Sequence, residues 1–182
     1  MDIDKNKLPT KILWVDLEMT GLDSAKDRIL EVSVLITDFT FKELASYAAV
    51  IKQSDDVLNS MNEWATSQHA GNGLTERVRT EGRPEADIQR ELVELIKQQF
   101  GSEPAVLGGN SIHSDRGFIR QWWPDVYALL HYRMLDVTAF KVVMQGKYGQ
   151  EYQKADTHRA SDDVRASIAE LQYYLDYLHA HA

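Results

Sequence analysis

Residues 10–18 read TKILWVDLE and run on through MTGL at 19–22. The apolar run Ile12 to Val15 marks a buried strand, and Asp16 and Glu18 follow it one residue apart. In a strand, residues i and i+2 project from the same face, so the two carboxylates point together, with Trp14 one step before them. Like charges so placed raise each other's pKa unless a cation lies between them. Two arrangements satisfy the pair. Either a divalent metal sits between the carboxylates, or the strand ends or lies at an edge by Glu18 and leaves both acids solvated.

Working outward, RILEVSVLITD at 28–38 and LASYAAVIK at 44–52 give two further strands, set off by Gly, Asp and Ser. Leu58, Met61 and Trp64 recur at helical spacing and predict a helix over 58–69. Pro84 opens a second helix, with acids in its first turn, Ile88, Leu92, Leu95 and Ile96 on one stripe, and Gly101 behind it. AVLGGN at 105–110 predicts a short buried strand. DRGFIRQWW and PDVYALLHY predict two helical pieces broken at Pro124, with Trp122 and Trp123 in the core, and RMLDV at 133–137 a last strand. The stretch 160–178 carries Val164, Ile168, Leu171, Leu175 and Leu178 on one stripe and predicts a closing helix. Strands first, then helix and strand alternating, define an α/β domain with a mixed sheet, antiparallel at first and parallel afterwards.

The 182 residues fit one domain, 43% hydrophobic and 26% charged, with no linker, repeat or low-complexity segment. With no Cys, thiolate catalysis, disulfides, iron–sulfur clusters and Cys-based zinc sites are all excluded. The polar start MDIDKNKLPTK has neither a signal peptide's apolar segment nor a transit peptide's basic bias, and no apolar run is long enough to span a bilayer, so a cytoplasmic protein without a membrane is expected. A net charge of −8 has the wrong sign for gripping long nucleic acid through a basic groove. A ligand of a few nucleotides is still compatible, because few phosphate contacts are needed and metal ions supply positive charge.

Further acids stand where a metal site would need them. Asp115 follows the strand at 105–110 and opens a helix, a place for a functional group in an α/β sheet and equally for an ordinary capping Asp. In THRASDDVRAS, Asp163 falls on the flank of the core-facing stripe, whereas Asp162 falls almost opposite, towards solvent; Asp163 is therefore the candidate functional acid. His158, in the loop before that helix, suits a general base, or is an unremarkable loop histidine.

WVDLEMTGL, GNSIHSD, HYRMLDV and HRASDDVRAS occur here in the order and spacing of the oligoribonuclease family, within the Asp-Glu-Asp-Asp-His exonuclease superfamily, and the resemblance runs from about residue 11 to 178. It implies a ribonuclease H-like mixed five-stranded sheet with flanking helices in a single domain over 1–182, with about 1–10 as an N-terminal extension and about 179–182 as a tail. It implies a 3′-to-5′ exoribonuclease that converts very short RNAs, dinucleotides above all, into nucleoside 5′-monophosphates. Asp16, Glu18, Asp115 and Asp163 would hold two Mg²⁺ or Mn²⁺ ions, and His158 would deprotonate the attacking water. Leu22, Trp64 and His69 would form the base pocket, Trp64 either stacking on a base there or packing in the core. Ser111, Thr138 and, from the second subunit of a homodimer, Tyr132 and Arg133 would hold the 5′ phosphate. Asp136 resembles a structural helix N-cap.

Two rival readings remain. DLEMTG is similar to the first motif of haloacid-dehalogenase-type phosphatases, but the second acid is Glu18 and no matching Lys and paired-Asp motif follows. A silent RNA-binding module on the same fold is the other, and it would be expected to have lost at least one of the four acids or the His.

Overall fold

A computed structural model of the chain describes residues 9–153 and 160–181. Five strands form one sheet: β1 Lys11–Met19, β2 Ile29–Asp38, β3 Glu43–Val50, β4 Ala105–Gly109 and β5 Leu130–Asp136. Their order across the sheet is β3-β2-β1-β4-β5. The first three pair antiparallel and the last three parallel, as the change from adjacent strands to helix-separated strands requires.

Strand β1 lies between β2 and β4, so its edges are paired and it is covered on both faces. Its odd residues Leu13, Val15 and Leu17 pack with Ile88, Leu92 and Ile96 of α4 (Glu85–Phe100) and with Phe118 and Ile119 of α5 (His113–Trp122). Its even residues Ile12 and Trp14 pack with Val137 of α7 (Val137–Val143) and with Val164, Ile168, Leu171 and Tyr174 of α8 (Ala160–Ala180). On that even face the apolar pattern breaks at Asp16 and Glu18, and the β1–β2 register shifts between Glu18 and Met19. Such an irregularity re-aims side chains at the end of a strand.

Several expected elements differ in detail. The single helix over 58–69 is two helices, α1 Asp55–Asn59 and α2 Glu63–Gly71. The Ser60 hydroxyl donates to the Val57 carbonyl, and Asn62 accepts the Ala65 N–H at 2.8 Å, so one helix ends and the next begins inside the expected stripe. The short α3 (Leu74–Thr80) follows, and Leu74 and Val78 complete a small core with Leu30, Val50 and Leu58. The piece beginning at Pro124 is helical only through α6 (Pro124–Tyr127). Ala105 N–H donates to the Leu129 carbonyl, and Leu130 and His131 are buried, so pairing with β4 takes residues 130–132 into β5. Trp123 is buried, whereas Trp122 is only partly so and lies under the Arg28 guanidinium. On α8 the buried stripe passes through Tyr174 and leaves Leu175 exposed. Helix α7 runs into a π-helical turn, Met144–Tyr148, closed by Gly149.

Gly108 and Gly109 end β4 where it runs parallel beside β1. A Cβ on Gly109 would lie 2.9 Å from the Val15 carbonyl oxygen and 3.0 Å from Ile112. Backbone cannot yield as a side-chain tip can, so Gly109→Ala is expected to destabilise the fold by about 1–3 kcal/mol. Urea unfolding followed by circular dichroism should show a lower midpoint at an unchanged slope; an unchanged midpoint would refute the close-approach argument.

Candidate active site

At the end of β1, ligand-capable oxygens of Asp16, Glu18 and Asp163 all lie within 4.8 Å of one another, and all three residues are partly buried. Asp16 and Glu18 reach this point because both are even residues of β1; Asp163 does so from the first turn of α8, one residue before the buried Val164. Burial, then Glu31, Asp163 and Asp115 in that order, push the Glu18 carboxyl up to about 7. A group so strained towards its neutral form marks a place where positive charge is missing.

Asp115 stands apart from this set of three. It is buried in the first turn of α5, and its Oδ1 accepts the Leu17 N–H at 3.0 Å. Burial pushes its carboxyl up to about 7 even against that hydrogen bond. The four-acid expectation thus resolves into three converging carboxylates and a fourth tied to the β1 backbone. His158 lies outside the described residues, as does the side chain of Asp162.

Glu31 was missed from sequence. It is the register partner of Glu18 on β2 and takes a hydrogen bond from the Arg77 guanidinium of α3 at 2.7 Å. The signal was present: an acid inside the apolar run RILEVSVLI is as anomalous as the acids of β1.

A pocket of about 460 Å³ opens beside the carboxylates, lined by Asp16, Glu18, Leu22, Asn62, Trp64 and His69. Leu22 is 80% exposed and Trp64 69% exposed, so neither belongs to the core. The loop bearing Leu22 is fixed by Asp27, which accepts the Thr20 hydroxyl and the Asp23 N–H, and a Cβ on Gly21 would strike that carboxylate. His69 is buried, its Nε2–H donates to the Met19 carbonyl at 2.8 Å, and its Nδ1 has no hydrogen-bond partner among the described residues. Exposed indole offers stacking worth about 1–3 kcal/mol per base. Trp64→Ala is expected to leave the thermal midpoint unchanged, because the ring lies in solvent and not in the core, and to raise KM about tenfold or more for a ligand that stacks on the indole; an unchanged KM would take Trp64 out of the pocket's function.

Ser111, Thr138 and Asp136 meet behind β4. Ser111 holds a positive φ of 50°, which turns the chain sharply after β4, and its N–H donates to Thr138 Oγ1 at 2.9 Å and Asp136 Oδ1 at 3.0 Å. Asp136 is the N-cap of α7, accepting the Thr138 N–H. Tyr132 and Arg133 stand on β5, the Tyr132 ring 65% exposed, stacked on His131 and faced by the Arg133 guanidinium at 5.1 Å.

The sheet order, the acid cluster and its neighbouring groove define a class, and comparison with known proteins gives the same one: residues 13–171 match the RNase T family, described as exonuclease. The oligoribonuclease of Halorhodospira halophila is 40% identical over 167 residues, 90% of this chain and 91% of that protein. That of Francisella tularensis subsp. novicida is 41% identical over 90% of this chain and 93% of its own, and the mitochondrial oligoribonuclease of Bos taurus 40% identical over 90% and 71%. The chain therefore belongs to the oligoribonuclease family of the exonuclease superfamily. The fold alone is shared with E. coli exonuclease I in complex with a dA16 oligonucleotide, at a TM-score of 0.69 and 20% identity over 95% of this chain but only 44% of that longer one.

Proposed function

We propose that the protein is a metal-dependent 3′-to-5′ exoribonuclease that degrades very short RNAs, dinucleotides above all, to nucleoside 5′-monophosphates. The observation that carries this reading is the convergence of Asp16, Glu18 and Asp163 at the mouth of the Leu22–Trp64 pocket. The all-oxygen donor set fits Mg²⁺ or Mn²⁺ better than zinc. Asp16, Glu18 and Asp163 would hold two such ions, with Asp115 as the fourth ligand. When bound, the ions supply an activated water and compensate charge on the phosphate and the leaving 3′ oxygen.

The chain's own residues do the rest. Trp64 stacks on a base, Leu22 presses against it, and His69 braces the pocket wall through the Met19 carbonyl. His158 takes the proton of the attacking water. Ser111 and Thr138 hold the 5′ phosphate of the substrate, and Tyr132 and Arg133 of a second copy of the chain close over it. Two features support a homodimer: Tyr132 stands in solvent, and an apolar groove between α7 and α8 is lined by Phe140, Val143 and Leu178. Among the described residues no helix is long and apolar enough to cross a membrane; the cytoplasm is the proposed location.

The test is single-turnover cleavage of 5′-labelled RNAs of two to seven nucleotides, with Mg²⁺ and with EDTA, by wild type and Arg133→Ala. Cleavage only with metal, fastest on the dinucleotide and levelled across lengths by Arg133→Ala, is the expected result. Metal-dependent cleavage at equal rates on all lengths by wild type would refute the phosphate clamp but leave the nuclease chemistry. No cleavage at all would leave the RNA-binding module.

A further inference from the structure

Between the acid cluster and the Ser111–Thr138 pair lies a polar bridge, buried at Ser167 and Glu170 and partly buried at Asn110 and Thr138, that neither site accounts for. Asn110, in the turn after β4, donates from Nδ2 to Ser167 Oγ at 3.1 Å and to Glu170 Oε2 at 3.0 Å. Its Oδ1 accepts from the Thr138 hydroxyl at 3.4 Å. Ser167 Oγ in turn donates to the Asp163 carbonyl at 3.0 Å. Glu170, 1% exposed, takes its other hydrogen bond from the Tyr174 hydroxyl at 2.8 Å.

A buried carboxylate is tolerated only where donors meet it, and Glu170 finds them in Asn110 Nδ2 and the Tyr174 hydroxyl. Replacing this set with apolar side chains would be easier to fold, since Tyr174, the partner of Glu170, belongs to the apolar cluster of Trp14, Val137, Ile168 and Leu171. What polar groups give here is direction. Asn110 binds in three directions at once: to the helix turn that carries Asp163, to the helix beyond it, and to Thr138. Ser111, its sequence neighbour, is held in a left-handed conformation against the same Thr138 hydroxyl.

We infer that Asn110 is a positioning residue that fixes the distance between the phosphate clamp at Ser111 and Thr138 and the carboxylate cluster at Asp163, acting through Ser167 and Glu170. This rests on the reading of Ser111 and Thr138 as a phosphate clamp. A fixed separation between a group that holds one end of a substrate and a group that cuts the other sets substrate length. In this role Asn110 acts through its neighbours and is no ligand of the carboxylate cluster.

The experiment measures kcat and KM for a 5′-phosphorylated diribonucleotide, its 5′-hydroxyl counterpart and a 5′-phosphorylated heptaribonucleotide, all with Mg²⁺. It uses wild type, Asn110→Ala, the milder Ser167→Ala, and Glu170→Gln, which keeps a hydrogen-bonding side chain in place. For Asn110→Ala the preference for the 5′-phosphorylated dinucleotide over both other substrates is expected to fall about tenfold, chiefly in KM, while turnover of the 5′-hydroxyl dinucleotide stays within about threefold of wild type. Ser167→Ala should move the same ratios in the same direction by about threefold, and Glu170→Gln should leave them near wild type. Should Asn110→Ala fail to fold, Ser167→Ala decides alone.

If the variants lower all three substrates by one common factor, or leave the ratios untouched, Asn110 is a structural residue only and the inference is wrong. If wild type itself shows no preference for the 5′ phosphate, the clamp reading fails and takes the inference with it. The two failures are distinguished by the wild-type ratio.

Discussion

Asp163→Asn is expected to lower metal-dependent cleavage of short RNA by about 10³-fold or more, the scale seen when electrostatic stabilisation is removed from a reacting centre. The same substitution should raise the thermal midpoint of the metal-free protein. Asp163 is one of the charges that push the Glu18 carboxyl up to about 7, so neutralising it relieves repulsion within the cluster. With charges a few ångström apart and partly screened, a gain of about 1 kcal/mol, or about 2–4 °C for a chain of this size, is the reasonable scale. Mg²⁺ should stabilise wild type markedly and the variant little. Loss of activity together with loss of metal-free stability would mean that Asp163 holds the fold and that the cluster is no metal site. Activity that survives would remove it from the reaction altogether.

This opposition between stability and function was legible in nine residues. An apolar run followed by two acids on one face cannot be an ordinary buried strand, and the register that places Glu31 opposite Glu18 sharpens the point. Helix periodicity also separated Asp163 from Asp162, because the stripe through Val164, Ile168 and Leu171 fixes which way α8 faces. What remained hidden has a common cause. Whether Trp64 packs or projects depends on Asn62 ending the stripe and starting a new helix, a capping event that spacing alone does not reveal. Residues 130–132 follow a helical pattern but are claimed by β4, a long-range pairing that overrides local preference. Asn110 stands in the motif GNSIHSD, but its bridging role was hidden, since its partners on α8 lie 57 and 60 residues away.

The acidic surface and the small pocket are two sides of one economy of charge. A net charge of −8 repels a long polyanion, and among the described residues Arg133 stands out near the proposed clamp as an exposed cation set over an aromatic ring. Arg28, Arg77, Arg79, Arg83 and Arg90 are each engaged with a carboxylate instead. A substrate of two nucleotides needs few phosphate contacts, so the salt dependence of binding should be shallow, with a slope of about −0.7 per contact for single strands. On the proposed reading, binding strength then comes from stacking, from metal and from the clamp.

Metal activation should weaken steeply as pH falls below about 7. Glu18 is pushed up to about 7 by burial first and then by Glu31, Asp163 and Asp115; Asp115 is pushed up to about 7 by burial. Both values lie above the ordinary carboxylate values of 4.5 and 3.8, so between those values and about 7 the folded, metal-free protein holds protons that the unfolded chain has already released. Across that window the contribution of these groups to metal-free stability falls as pH rises, and it levels off above it. A divalent ion binds the carboxylates without their protons, so the sign for metal binding is opposite: affinity rises with pH up to about 7 and then flattens. Displacing one proton gives about a tenfold change per pH unit, and displacing two about a hundredfold. The Mg²⁺ concentration for half-maximal turnover, and the Mg²⁺-induced rise in thermal midpoint, measured from pH 5.5 to 8.5, should follow this curve together. Glu31→Gln tests the cause, because it removes the like-charge neighbour that contributes most to raising Glu18 and should move the metal-binding break to lower pH. A metal dependence that is flat from pH 5.5 to 8.5, or a break that ignores Glu31→Gln, would show that the raised carboxyl of Glu18 is not what the ion displaces.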